Sequence, residues 1–165
     1  MSVAVYPGSF DPVTYGHLDV VRRAASVFDR VIIAVLANPR KLPLLGVEER
    51  VAIVRRALDE TTDTWDGRVE VEAFDGLTVE FCRAHGARSI VRGLRVISDF
   101  EIELQLAHNN RKLAPEVDTV FFMTALEHGY VSSSLVKEIA QFGGDVGEMV
   151  PPAAVEALAS AFRPS

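Results

Sequence analysis

Short apolar runs rich in β-branched residues alternate with helical patterns along this chain, and no other feature narrows the possible folds as much. The runs fall at Val3–Tyr6, Val31–Leu36, Val69–Phe74, Ser89–Val91 and Thr119–Met123. They are nearly continuous in apolar residues, as parallel strands covered on both faces are. After the first run, Leu18, Val21, Ala25 and Phe28 recur at helical spacing, with Arg22, Arg23 and Asp29 on other faces. A second helix is expected from Val47 to Leu58, with Glu48 and Glu49 in its first turn, where the helix dipole favours anions. Others are expected at Leu77–Ala84, Ile97–Leu113, Ser134–Phe142 and Pro152–Phe162. Gly143-Gly144 stops the third of these patterns, and Pro152 suits the first turn of the last. Such alternation implies an α/β fold: a Rossmann-like, doubly wound sheet of five parallel strands with right-handed crossovers. At 165 residues, 48% of them hydrophobic, the chain reads as one domain over 1–165 with a full core. No internal repeat is visible. The one long loop expected, Thr61–Gly67, is polar apart from Trp65.

Charge and cysteine content remove several function classes. A net charge of −6 argues against sequence-independent nucleic-acid binding, which needs a broad basic surface. An anionic ligand would have to be met by a local cluster of cations. The single cysteine, Cys82, excludes a disulfide framework and a cysteine-rich zinc site, and its apolar helical setting suits a small core residue. No apolar run is long enough to span a bilayer, and the first residues lack a basic stretch followed by an apolar one. A soluble cytoplasmic protein without a membrane partner is expected.

In an open parallel sheet, ligands bind beyond the carboxyl ends of the strands. The segments there are PGSFDPVTYGH (7–17), ANPRK (37–41), RGLR (92–95) and TALEHGYVSSS (124–134). Together they offer Lys41, Arg92, Arg95, two histidines and several hydroxyls, while Gly8, Gly16, Gly93 and Gly129 would permit close backbone approach. Helix N-termini near Gly16 and Ser133 would add backbone N–H donors. The composition and place are those of a phosphate site. His17, at the start of a helix, would face the anion as a hydrogen-bond donor, and Gly16 would leave room for a nucleotide.

These motifs carry a resemblance. Thr14-x-Gly16-His17 resembles the (H/T)xGH signature of the nucleotidylyltransferase superfamily, and residues 131–137, VSSSLVK, resemble its second signature. PGSFDPVTYGHLD, the Lys41 loop, RGLR, DFEIELQLAHNN (99–110) and SSSLVKE occur in the order and at the separations of the bacterial phosphopantetheine adenylyltransferases, over about residues 3–150. The resemblance implies the nucleotidylyltransferase fold and an enzyme that moves the adenylyl group of ATP to 4′-phosphopantetheine, yielding dephospho-coenzyme A and pyrophosphate. The nucleophile would be a phosphate monoester, which carries roughly −1.5 to −2 charge at pH 7 and needs no general base. Catalysis would then be positioning plus electrostatics.

By match to the family's motifs, His17 would stabilise the transition state at the α-phosphate. Ser9 and Phe10 would meet ATP, with Ser9 also touching the acceptor phosphate. Lys41 and Arg92 would hold that phosphate. Gly93, Leu94 and Arg95 would line the nucleotide, with Glu103 beside it. His128, Gly129, Tyr130 and Val131 would cover the adenine, and Ser132, Ser133 and Ser134 would meet the β- and γ-phosphates. Thr78 would contact the pantetheine arm, with Leu77, Leu106 and Asn110 in support. The resemblance also implies Mg²⁺ on the triphosphate, feedback by coenzyme A, and a homo-oligomer, a hexamer. Bland readings stand beside these. Ser132–Ser134 suit a helix N-cap, which is compatible with phosphate binding. His128 could be a loop residue without chemistry, and Asp99, Glu101 and Glu103 a solvated acidic face. Compared with the family, His128-Gly129-Tyr130 replaces an aromatic-Ser-aromatic segment, and Thr78 is polar where a larger apolar residue is common. Two rivals remain: a sister enzyme with another acceptor, such as nicotinamide mononucleotide or a cytidylyl acceptor, and a non-catalytic adenine-nucleotide sensor. Lys41 and the DFEIELQ helix oppose the first; the intact histidine and cations oppose the second.

Overall fold

The computed structural model describes residues 1–165 apart from Pro39, Lys41 and Ser165, and apart from the side chains of Ile97 and Ser98. The expected contacts of Lys41 therefore lie outside the described residues. The elements run β1 (Val3–Gly8), α1 (Tyr15–Val27), β2 (Arg30–Leu36), α2 (Val47–Glu60), β3 (Val69–Phe74), α3 (Thr78–Ala84), β4 (Ser89–Leu94), α4 (Ile97–Leu113) and β5 (Asp118–Met123). A 3₁₀ turn (Leu126–His128), α5 (Ser133–Gln141) and α6 (Pro152–Ala161) follow.

The five strands form one parallel sheet in the order β3-β2-β1-β4-β5. Their apolar runs are continuous because each face buries alternate residues. Ala4, Tyr6, Val31, Ile33, Val35, Val71 and Val91 join the core beneath α1, α2 and α6. Val5, Ile32, Ala34 and Ile90 face the other way, onto Val79 and Cys82 of α3. Cys82 is fully buried, and desolvation pushes its thiol up to about 11, so it packs as a small apolar residue. Trp65 anchors its loop: it packs against the core and donates from Nε1 to Leu58 O at 3.0 Å.

Some boundaries differ from the sequence expectation, for local reasons. α1 begins at Tyr15, ahead of the apolar stripe, because Thr14 caps it. α5 begins at Ser133, one residue earlier than expected, because the Ser132 hydroxyl accepts from Leu135 N–H at 3.1 Å. β4 continues past Val91 through Arg92, Gly93 and Leu94, which pair with Phe121, Phe122 and Met123 of β5. Three of the four residues in RGLR are thus strand. Their alternation sends the Arg92 side chain toward α4 and turns Gly93 toward α1.

Candidate active site

β1 lies between β2 and β4, so the chain winds one way from β1 and the other way around β4. A crevice must open where the flanking connections diverge. There lies a cleft of about 440 Å³, walled by segments following β1, β2, β4 and β5. A second cavity of about 360 Å³ runs toward α3 and α4, lined by Phe74, Thr78, Leu106 and Asn110 among others. The two share Pro7, Gly8, Ser9, Leu36, Arg92 and Glu103 as a common wall.

His17 lines the cleft from the first turn of α1. Its orientation follows from a capping box in which the third helical residue is histidine. The Thr14 hydroxyl accepts from His17 N–H at 3.3 Å, and His17 Nδ1 accepts from Thr14 N–H at 3.0 Å. A nitrogen that accepts from a backbone N–H has no proton of its own, so the neutral ring carries its proton on Nε2. Desolvation, with the cations of Arg95 and Arg92, pulls the imidazole down to about 3. His17 is therefore a neutral donor. The Phe10 ring meets it edge-on at 4.9 Å and is held in turn against Tyr6 at 5.3 Å. Phe10 is buried and has φ +48°, a left-handed backbone uncommon for a bulky residue. That turn leaves its ring in the core and its main chain at the cleft.

Arg92 and Glu103 form a two-bond fork, Nε to Oε2 at 2.8 Å and Nη2 to Oε1 at 2.6 Å. Arg92 Nη1 also donates to Pro7 O at 2.7 Å, tying β4 to the end of β1. Burial opposes the guanidinium charge, but the Glu103 bonds and charge outweigh it and hold its pKa above the ordinary arginine value. Arg95 donates to Val131 O at 2.8 Å and to Asp99 Oδ2 at 3.1 Å. Glu103 is buried, so the expectation of a solvated acidic face fails for it.

Ser132, Ser133 and Ser134 all line the cleft at the N-terminus of α5. Ser132 is the cap, and its hydroxyl, which accepts there, keeps its proton to donate; the Ser133 hydroxyl donates to Pro12 O at 2.8 Å, so Ser133 offers a phosphate chiefly its backbone N–H. Ser9, Phe10, His17, Arg92, Gly93, Arg95, Glu103 and Val131 reach the same cleft, and Thr78 the second cavity. Leu94, His128, Gly129 and Tyr130 do not line either; Tyr130 is 86% exposed, and the His128 ring sits 6.2 Å from that of Tyr15. Leu77 is exposed and likewise outside. Gly8, Gly16 and Gly93 line the cleft, and the protein's own packing also uses the room some glycines leave. A Cβ at Gly93 would lie 2.8 Å from Val20 Cγ2, and one at Gly16 would touch Thr14, His128 and Thr124 at 3.5 to 3.7 Å. At Gly8 it would meet the Phe10 ring at 3.0 Å, and at Gly129 it would meet Leu126 O at 3.3 Å. At Gly93, Gly8 and Gly129 the smallness lets the protein pack on itself; at Gly16 the contacts would be ordinary.

Several cleft residues escaped the sequence reading. Asp11, Arg50, Asp99 and Lys137 all line it. Asp11 and Arg50 are buried charges. A signal for Arg50 existed: it stands with Val47, Val51, Val54 and Leu58 on the apolar stripe of α2. Asp19 is a further buried carboxylate, accepting from Arg22, Arg23 and the Ala125 N–H. Burial would raise its pKa, but these bonds together hold it below the ordinary carboxylate value. Asp19 thereby ties α1 to the segment after β5.

Residues 5–139 match the family model described as cytidylyltransferase-like. The nicotinic acid mononucleotide adenylyltransferase of Plasmodium falciparum, solved in complex with NaAD, has a similar fold: TM-score 0.71 over 96% of this chain and 95% of that one, at 12% identity. With that family model spanning most of the chain, the sheet and the cleft at its switch point place the protein among the nucleotidyltransferases. Curated relatives narrow the class. Proteins named phosphopantetheine adenylyltransferase are 52% identical in Heliobacterium modesticaldum, over 98% of this chain and 94% of the relative, and 56% identical in Gloeobacter violaceus, over 90% and 89%. The chain belongs to the phosphopantetheine adenylyltransferase family.

Proposed function

We propose that this chain transfers the adenylyl group of ATP to 4′-phosphopantetheine, releasing pyrophosphate and forming dephospho-coenzyme A, a step of coenzyme A biosynthesis. One observation carries the reading beyond family membership: two cavities meet at a wall bearing Arg92, beside the donor histidine. A transfer between two phosphorylated molecules needs two adjoining sites that hold nucleophile and α-phosphorus together at a shared boundary.

In this reading ATP occupies the larger cleft. Ser9 and Phe10 meet it from the β1–α1 turn, Gly93 from β4 and Arg95 from just beyond it, Glu103 from α4, and residues 131–134 from the start of α5. The acceptor arm lies in the second cavity near Thr78, with its phosphate between Ser9, Lys41 and Arg92. A phosphate oxygen attacks the α-phosphorus, the bond from that phosphorus to the β-phosphate bridging oxygen breaks, and pyrophosphate leaves. No proton need move, because the nucleophile is already anionic. The Nε2–H of His17 donates to the α-phosphate as charge builds there, and the N-termini of α1 and α5 favour the same anions. Mg²⁺ enters with the nucleotide as part of the substrate. The cleft carboxylates Asp11, Asp99 and Glu103 are each bonded to a cation, and among the described residues no three potential metal ligands cluster. The ion is then held by phosphate oxygens and water.

Homohexamer formation, cytoplasmic location and inhibition by coenzyme A belong to the same reading. Support for self-association comes from α4, which exposes Phe100, Ile102, Leu106 and Leu113. Among the described residues no helix is long and apolar enough to cross a membrane. The deciding experiment is pyrophosphate release with ATP and each candidate acceptor, followed by product mass, with and without coenzyme A. Turnover with 4′-phosphopantetheine is expected. Turnover with nicotinamide mononucleotide alone would overturn the acceptor assignment.

A further inference from the structure

Two buried charges that carry no role in the reaction just described line the larger cleft beside the wall it shares with the second cavity. Arg50, in the first turns of α2, is almost fully buried. Its guanidinium is spent on main-chain carbonyls: Nε donates to Leu45 O at 3.0 Å, and Nη1 to Ser9 O at 2.6 Å and Leu36 O at 3.0 Å. Ser9 and Leu36 are both in the wall common to the two cavities. Asp11, also buried, holds the same loop from the other side. Its carboxylate accepts from Leu44 N–H and Leu45 N–H at 3.0 Å each and from Lys137 Nζ at 2.9 Å. Leu45 is thus held by both its N–H and its C=O. Lys137 brings α5 into the same knot.

A buried guanidinium bonded only to carbonyls is costly, and desolvation pulls its pKa below the ordinary arginine value. Apolar packing would stabilise the fold at least as well at that place. What a rigid, planar fork does that packing cannot is fix three separate backbone segments to one another. We propose that Arg50 is a positioning residue for the transfer: with Asp11 as its counterpart, it sets the spacing of Ser9, Leu36 and residues 44–45, and so the alignment of acceptor with nucleotide. The proposal rests on the adenylyl-transfer reading. Arg50 and Asp11 line the nucleotide cleft, but the Ser9 and Leu36 carbonyls that Arg50 holds are in the wall common to the acceptor cavity, and the nucleotide side has further ties, Arg95 to Val131 O and Asp19 to Ala125 N–H, so the loss is expected chiefly on the acceptor side.

The test is Arg50→Lys, which keeps charge and loses the fork, beside Asp11→Asn and Lys137→Met. Arg50→Lys is expected to lower kcat/KM for 4′-phosphopantetheine on the order of 10²-fold, the cost of a misplacement of about 1 Å, with the ATP dissociation constant within about threefold of wild type. A defect of folding alone would lower kcat with both KM values unchanged, and that outcome overturns the proposal. Hydrogen exchange of the unliganded protein gives a readout free of turnover. Loss of protection at the Leu44 and Leu45 amides in both Arg50→Lys and Asp11→Asn supports the knot; unchanged protection sinks it. If Arg50→Lys does not fold, Lys137→Met carries the same two measurements with the same directions expected. Wild-type protein without pyrophosphate release would defeat the functional reading, and the exchange result would still judge Arg50.

Discussion

His17 shows how one side chain takes its chemistry from its neighbours. Alone, a histidine near neutral pH is an ambiguous group. Here Thr14 N–H fixes the tautomer, and desolvation with Arg95 and Arg92 keeps the ring neutral. Replacing His17 with Ala should lower turnover on the order of 10²- to 10³-fold, the usual loss of one transition-state donor, while ATP binding stays measurable by calorimetry. Near-normal turnover would remove the residue from the mechanism. Its ionisation also has a sign. The unfolded imidazole titrates near about 6.5, whereas the folded one sits at about 3. The unfolded chain therefore holds the proton more tightly. Stability linked to His17 is complete above the unfolded value and is lost as pH falls from there toward 3. Urea titrations at pH 7 and pH 5 should show wild type losing more stability between them than His17→Gln does; an equal loss would contradict the depressed ionisation. This residue was legible in the sequence because TxGH after a strand is a local signal. Arg50 left a local trace, a charge on the apolar stripe of α2, but its role and that of Asp11 are made by tertiary contacts, with Ser9 and Leu36 and with Leu44, Leu45 and Lys137, that no local pattern shows.

At the scale of elements, β4 and α1 meet without a spacer. Gly93 leaves room for Val20 and nothing more. Gly93→Ala would push Val20, and α1 with it, at a cost of about 1–3 kcal/mol typical of overpacking. Because α1 carries His17, kcat should fall along with the melting temperature. A variant as stable and active as wild type would show that α1 is not pinned there. The cap of α1 is a second lever. Thr14→Ala removes the hydroxyl that accepts from His17 N–H and should cost about 1 kcal/mol, read by denaturant midpoint. The elements themselves were largely readable: every expected strand and helix is present. What local pattern could not give was the end of β4. Arginine and glycine look like loop, but pairing with β5 and burial beside Glu103 hold them extended. The segment 128–130 erred the other way, since only tertiary packing decides which residues of a loop turn into a cleft.

The whole molecule leaves one helix unfinished. α4 supplies Glu103, which holds Arg92 in the wall between the cavities, yet α4 also exposes Phe100, Ile102, Leu106 and Leu113. A helix apolar on more than one face is stable in water only if something covers it. β5, at the edge of the sheet beside α4, presents an unpaired ladder and an exposed Met123. A second copy of the chain would satisfy both, and such an oligomer would also support the Arg92–Glu103 fork from behind. Ile102 is 63% exposed, so Ile102→Glu should leave the isolated fold intact while placing a charge in the covered face. Sedimentation is expected to show smaller species than wild type at the same concentration. Activity per chain should fall through a higher KM for the acceptor, because α4 lines the acceptor cavity with Leu106 and Asn110. If Ile102→Glu keeps the wild-type mass, α4 is not where copies meet. If it dissociates with an unchanged acceptor KM, assembly and catalysis are separate properties of the chain.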